Sequence, residues 1–325
     1  MLLPAEKVFE LMNEYGNTLQ PFLFGIDFEG KQGFFMNPSK AAESGIYFNI
    51  NGNGNNFPPV PETATVRLVK NPVEFSVYNS AFETVHRNLI GGNSYLTNLT
   101  FPTEIDLNIN LPEIFERSVA RYRLLFQDEF VVFSPEIFVQ IDNGTIRSFP
   151  MKGTIDASLP DAEKRILADP KETAEHNTIA DLIRNDLNMV ASDVKVNRFR
   201  YIEKIVTNEK TLLQVSSEIS GVLPENYLAN LGNIFRRLLP AGSVSGAPKR
   251  KTLQIIREAE TYSRGFYTGV FGCFDGSKLD SGVMIRFIKI VNGKFIFCSG
   301  GGITANSNPQ TEYNELIDKV YVPFI

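Results

Sequence analysis

Apolar positions return along this chain with two different periods. From Ala5 to Glu14 they follow the helical spacing and predict a short amphipathic helix. Phe22 to Asn37 predicts a hairpin turning at Glu29-Gly30-Lys31, and Ile46 to Ile50 predicts another strand. Asn51-Gly-Asn-Gly-Asn-Asn-Phe-Pro-Pro carries neither period and reads as a loop. Glu74 to Ile90 predicts a strand leading into a helix, stopped by Gly91-Gly92. Leu124–Phe133 and Ile137–Arg147 predict paired strands, with Asn143-Gly144 as a turn in the second stretch.

Two helix starts are written out in the sequence. In Asp169-Pro170-Lys171-Glu172 the Asp is the N-cap and the Pro takes the first helical position. Ile179, Leu182, Ile183, Leu187 and Val190 then share one face. Asn308-Pro309 opens a second helix that buries Leu316, Ile317 and Val320. Pro248–Glu260 predicts a helix between them. An antiparallel run follows: Gly265–Phe274, Leu279–Ile290 and Lys294–Cys298, turning at Asp275-Gly276 and Asn292-Gly293. Strands and helices come in segregated runs, so the pattern predicts α+β with antiparallel sheets over a doubly wound fold.

Composition narrows the class. The 325 residues, 43% hydrophobic and 21% charged, suffice for a sizeable core. They read as a single domain over 1–325, with 1–70 a reduced N-terminal subdomain. A net charge of −5 argues against nucleic acid as a main partner. With two cysteines, Cys273 and Cys298, and two histidines, a zinc site is not expected. Few cysteines and no cationic-apolar leader at Met1 predict a cytoplasmic enzyme. No apolar run approaches a bilayer span, so no membrane partner is expected.

Five features carry candidate chemistry. Lys152, in Phe149-Pro-Met-Lys-Gly-Thr-Ile155, is a nucleophile candidate. Glu172 and Glu175 on one helix, and Glu312 and Glu315 on another, are like-charge i,i+3 pairs. Such pairs are either solvated faces or the halves of a divalent-cation site, and Mg²⁺ takes carboxylates from two elements together with water and an anionic substrate. Glu172 has a local task at the helix start, which makes Glu175 the better ligand candidate. Ser299-Gly-Gly-Gly302 is a tight bend or an anion-binding run of amides. Gly242-Ser-Val-Ser-Gly-Ala-Pro-Lys249 feeds a helix N-terminus and lacks the P-loop ending. Arg286, the one charge in Gly282-Val-Met-Ile-Arg-Phe-Ile288, is either paired or binds an anion. Together these predict a small polyanionic substrate, with the glycine run, Arg286 and Lys319 as carboxylate receptors beside a Mg²⁺ cage.

In chain order the motifs resemble those of the chorismate-utilising enzymes. The strings are Ser134-Pro-Glu136, Pro150-Met-Lys-Gly-Thr154, Glu175-His176, Asp181-Leu-Ile-Arg-Asn-Asp-Leu187, Gly242–Lys249, Gly265-Phe-Tyr-Thr-Gly269, Ile285-Arg286, Gly300-Gly-Gly302, Glu312-Tyr-Asn-Glu315 and Asp318-Lys319. They run from about Tyr78 to the C-terminus. The resemblance implies a two-layered α/β sandwich with antiparallel sheets and the active site between them. At the position of Lys152 anthranilate synthases carry a small residue and aminodeoxychorismate synthases a lysine. The chain therefore resembles component I of aminodeoxychorismate (p-aminobenzoate) synthase, in the folate pathway.

By that resemblance, Lys152 attacks C2 of chorismate as the C4 hydroxyl leaves, and ammonia then adds at C4. Glu136 matches the general acid/base. Glu175 and Glu315, with Glu172 and Glu312, match a Mg²⁺ site. Thr154, Ser243, Ser245, Tyr267, Arg286, Gly300, Gly301, Gly302 and Lys319 match substrate-lining positions. A glutamine amidotransferase (glutaminase) subunit is the implied source of ammonia. The chain departs from the family at Gln214, where a histidine is common. It departs again at Leu96-Thr-Asn-Leu99, which stands for Gln-Val-Asn-Leu, and at Pro248-Lys-Arg-Lys251. Its short N-terminal region implies no tryptophan-binding pocket. The competing expectations are an anthranilate synthase large component, a water-using isochorismate or salicylate synthase, and a catalytically weak scaffold for a glutaminase.

Overall fold

The computed structural model describes residues 2–60, 66–206 and 211–323. Among these, two antiparallel sheets pack face to face, and helices cover their outer faces. The first sheet runs Leu3–Pro4, Gln32–Met36, Phe22–Ile26, Val270–Phe274, Leu279–Val283, Ile137–Asp142, Thr145–Ser148, Thr211–Val222, Met151–Asp156. Ser192–Val206 lies along the other edge of Thr211–Val222. The second sheet runs Gly246–Ala247, Leu96–Leu107, Lys294–Ile303, Phe287–Val291, Phe130–Ser134, Tyr122–Phe126, Ile46–Ile50, Asn53–Gly54, with Leu68–Asn71 also on Leu96–Leu107. The described residues among 1–70 are thus divided between the two sheets.

Strand alternation explains the layering. Leu23, Phe34, Phe126, Phe130, Val132, Phe271 and Phe287 point between the sheets. Phe22, Phe24, Val139 and Ile141 point outward, under Ala5–Asn17, Pro170–Asn188 and Leu231–Leu238. Ile179, Leu182, Ile183 and Leu187 are buried in that outer layer, as their helical spacing predicts. Phe75–Ile90, Lys249–Ala259 and Pro309–Asp318 close the second sheet around Tyr78, Phe82, Ile255 and Leu316.

Four expectations about strands need correction. Glu74–Ile90 contains no strand: the helix begins at Phe75, and the strand is Leu68–Asn71. Leu124–Phe133 is itself a hairpin, Tyr122–Phe126 with Phe130–Ser134. Its turn bonds Glu129 N to Phe126 O at 3.1 Å and holds Gln127 at φ 50°, without the Gly or Asn-Gly that advertises such turns. It pairs in the second sheet, whereas Ile137–Asp142 pairs with Thr145–Ser148 in the first. Leu279–Ile290 is likewise two strands in different sheets, parted at Met284-Ile285-Arg286, and Gly265–Thr268 is a turn.

These corrections locate the site. The chain crosses between the sheets at Pro135-Glu136 and again at Met284–Arg286. The crossings run side by side: Val283 N donates to Glu136 O at 3.1 Å, and Phe133 N to Arg286 O at 3.1 Å.

Candidate active site

A cleft opens where the two crossings leave the sheets. It has an inner and an outer lobe, and both touch Glu136, Met151, Lys152, Ile285, Arg286, Gly302 and Lys319. Glu136 is positioned by its crossing: its backbone N donates to Ser134 Oγ at 3.1 Å. Its carboxylate accepts from the Ser243 hydroxyl. Burial raises the Glu136 pKa, against the opposing pull of the Ser243 bond and of nearby Lys152. Burial favours the protonated form of a carboxyl group, the form that can donate a proton.

Lys152 stands on the strand Met151–Asp156, whose pairing with Thr211–Val222 slips between Lys152 and Thr154. Gly153 sits at that bulge with φ 74°, a conformation that strains any side chain. A Cβ there would also lie 2.9 Å from Glu172 Oε2. The bulge leaves Lys152 Nζ in the cleft, 3.6 Å from Glu175 Oε2. Thr154 and Gln214 are cross-strand partners on the wall of the outer lobe.

The glycine run is neither a bend nor a nest of amides. Gly300, Gly301 and Gly302 continue the strand Lys294–Ile303, opposite Thr100, Leu99 and Asn98. Phe287–Val291 last pairs with this strand at Cys298, so from Ser299 onward one edge faces the cleft. Alternate N–H and C=O groups along that edge turn into the site. The missing side chains clear its floor: a Cβ on Gly301 would lie 3.7 Å from Lys319 Nζ, and one on Gly302 3.8 Å from Lys152 Nζ.

Arg286 adopts φ 53°, donates to Lys319 O at 2.6 Å and lies over the Tyr321 ring at 4.5 Å. Among the described residues it has no carboxylate within ion-pair distance, so its charge faces the cleft with only neutral partners. Lys319 Nζ contacts Glu315 Oε1 at 2.7 Å and donates to Gly300 O at 2.9 Å. Burial lowers its pKa, helped by the charges of Lys152 and Arg286 and opposed by Glu315. Tyr267 is buried in the inner lobe, and burial raises its phenol pKa, so it stays a neutral donor. Ser245 does not join the site: its buried hydroxyl donates to Ala241 O at 2.9 Å. Ser243 does line it, with its hydroxyl committed to Glu136.

Glu172, Glu175, Glu312 and Glu315 all line the outer lobe, from two helices. Among the described residues no three acidic, histidine or cysteine side chains stand close enough to hold a metal by themselves. Carboxylates from two elements are the donor type that Mg²⁺ accepts when substrate oxygens and water complete its shell.

Sequence reading passed over two parts of the site. Asn98 lines the inner lobe, and its one signal was the string Leu96-Thr-Asn-Leu99. Arg264, fully buried, pairs with Glu260 and donates to Val244 O at 2.8 Å and Asn98 O at 2.7 Å. It thereby ties the helical turn Gly242–Ser245, which bears Ser243, to the strand beside the glycine run. An i,i+4 Glu–Arg pair reads as a surface feature in sequence, so this one gave no warning. His176, next to Glu175, is buried, with Nε2 2.7 Å from Ser217 Oγ.

Comparison with known proteins agrees with this geometry. A family model described as chorismate binding enzyme matches residues 35–324. An uncharacterized PabA-like protein of Haemophilus influenzae is 52% identical over 314 residues, 97% of this chain and 95% of that protein. Aminodeoxychorismate synthase component 1 of Escherichia coli is 33% identical over 261 residues, 75% of this chain but 56% of that protein. The menaquinone-specific isochorismate synthase of Escherichia coli superimposes with a TM-score of 0.72 at 17% identity, over 97% of this chain and 80% of that one.

Proposed function

The chain belongs to the chorismate-binding enzymes, and within that family we propose that it replaces the C4 hydroxyl of chorismate with an amino group from ammonia, forming 4-amino-4-deoxychorismate for p-aminobenzoate and folate synthesis. The observation that carries this reading is Lys152 Nζ, held by a bulged strand where the two lobes meet. Glu136 stands at the same junction.

Arg286, Tyr267 and the free edge of Ser299–Ile303 bind the two carboxylates. The Lys152 amine attacks C2, the ring double bonds each shift one place, and the C4–O bond breaks. Glu136 gives its proton to the departing oxygen, which leaves as water. Ammonia then attacks C4, the double bonds shift back, and the C2–N bond breaks to return Lys152 as an amine. The ammonium formed at C4 passes one proton to Glu136, which restores the acid. The sum is chorismate plus ammonia to aminodeoxychorismate plus water. A lysine bonded to C2 also blocks the carbon whose amination would lead to anthranilate.

Glu175 and Glu315, backed by Glu172 and Glu312, would hold Mg²⁺, which supplies positive charge to the ring carboxylate. Glu175 would then be shared between that site and Lys152, whose Nζ stands 3.6 Å from its carboxylate. Ammonia is mostly protonated at neutral pH, so a glutaminase subunit delivering it directly is the partner this chemistry calls for.

The test is product identification by chromatography and mass spectrometry. The purified chain is given chorismate with an ammonium salt, with and without Mg²⁺. Aminodeoxychorismate is expected only when both are present. Anthranilate, isochorismate, or no turnover with all components present would overturn the reading.

A further inference from the structure

Among the buried side-chain nitrogen and oxygen atoms of the described residues that line the inner lobe, one stands without a hydrogen-bond partner, the amide oxygen of Asn98. Oδ1 is buried and has no hydrogen-bond partner among the described residues. A buried acceptor left unpaired costs about as much as a lost hydrogen bond, so such atoms commonly mark where a ligand donates.

Its direction follows from register. Asn98 is the cross-strand partner of Gly302, and opposed residues of an antiparallel pair point to the same face. A Cβ on Gly302 would lie 3.0 Å from Leu96 Cδ1 and 3.8 Å from Lys152 Nζ. The Asn98 side chain therefore stands on the face of the sheet that carries the Lys152 amine. The backbone beneath it is fixed, because Arg264 Nη2 donates to Asn98 O at 2.7 Å and Thr100 N to Glu260 Oε1 at 2.9 Å.

Besides the Lys152 amine, which faces Glu175 at 3.6 Å and is then bonded to C2, the proposed reaction brings few donors to this face. At neutral pH chorismate has a single O–H, the C4 hydroxyl, and that group leaves with a proton supplied by Glu136. Ammonia brings three N–H groups to the same carbon. An amide oxygen can accept from one of them and leave the nitrogen lone pair aimed at C4. Being uncharged and weakly basic, it does not favour ammonium as a carboxylate would. We infer that Asn98 is the binding residue for the ammonia nucleophile, through Oδ1. This inference rests on the function proposed above.

The test uses the whole chain with an ammonium salt at fixed pH, comparing wild type with Asn98→Leu and Asn98→Ala. Both variants remove the acceptor; one keeps the bulk and the other does not. Thermal unfolding checks that each folds, and the alanine variant carries the test if leucine does not fit. Each is expected to raise KM for ammonia about five- to tenfold, the worth of one hydrogen bond. The Kd for chorismate, by calorimetry without ammonia, should stay within about twofold. An unchanged KM for ammonia in a folded variant overturns the inference, as does an equal loss of chorismate affinity. A wild-type chain that forms no C4-aminated product overturns the proposed function, and this inference with it. Normal amination by wild type with unaffected variants overturns only the role of Asn98.

Discussion

Arg264 and Glu260 have side chains 1% and 2% exposed, joined by bonds of 2.6 and 2.8 Å. Lys152 and Glu175 are 28% and 17% exposed and stand 3.6 Å apart. Both are cation–carboxylate pairs, but Lys152 and Glu175 line the cleft, whereas Arg264 reaches its wall from behind, through the carbonyls of Val244 and Asn98. In the first, backbone carbonyls of Val244 and Asn98 and the Phe28 ring take up the rest of the guanidinium, and Thr100 fills the carboxylate. Nothing there can move without leaving a buried charge unpaired. The second is longer than a hydrogen bond and open to the cleft, so parting it costs little. The one pair holds a frame, whereas the other keeps a reactive amine in place and lets it go.

The comparison breaks most visibly at Lys152. Lys152→Ala is expected to lower aminodeoxychorismate formation at least about 10⁴-fold, more than about 5 kcal/mol of barrier, because it removes the attacking group. Its unfolding midpoint should move by no more than about 2 °C, since a loose, wet pair adds little stability. Steady-state rates and a thermal melt measure both. Unchanged rate and product would remove the nucleophile role.

Arg264→Met should show the reverse. The substitution leaves Glu260 charged and buried, at an expected cost of about 3–5 kcal/mol in urea unfolding. A loss below about 1 kcal/mol would mean that this pair is no tighter than the one at Lys152.

The sequence carries the parts of this frame unevenly. Helices with caps were legible: Asp169 and Asn308 accept from backbone N–H groups of their helices as their positions predict. The α+β class with antiparallel sheets was legible as well, from segregated runs and Gly-bearing turns. The change of sheet at Pro135-Glu136 and at Met284–Arg286 was not, because alternation says which face a residue takes and not which sheet its strand joins. The order of the motifs revealed the family. Their spacing did not reveal that Ser243 meets Glu136, that Ser245 turns away, or that three glycines form a strand edge. The first and last of those outcomes depend on contacts between residues more than a hundred positions apart, such as Ser243 with Glu136. Asn98 and Arg264 were passed over for the same reason, since neither is unusual until Gly302 and Val244 are placed beside them.

His176 sharpens the comparison with the smallest expected effect. It directly follows Glu175 on the helix, yet it is buried, and burial lowers its pKa to about 4, helped by the charges of Arg200 and Lys152. In the unfolded chain its imidazole titrates near 6.5. The stability linked to it is therefore fully present above pH 6.5 and lost as pH falls toward 4, by of the order of 3 kcal/mol. Other groups add their own pH dependence, so the measurement is a difference. Urea unfolding of wild type and His176→Gln is compared at pH 7.5 and pH 4.5. Wild type should lose about 2–3 kcal/mol more than the variant across that interval. Equal losses would mean that His176 is not held neutral by its surroundings. An unequal loss with wild-type rates for the variant at pH 7.5 would place His176 with Arg264, as part of the frame one residue away from the chemistry.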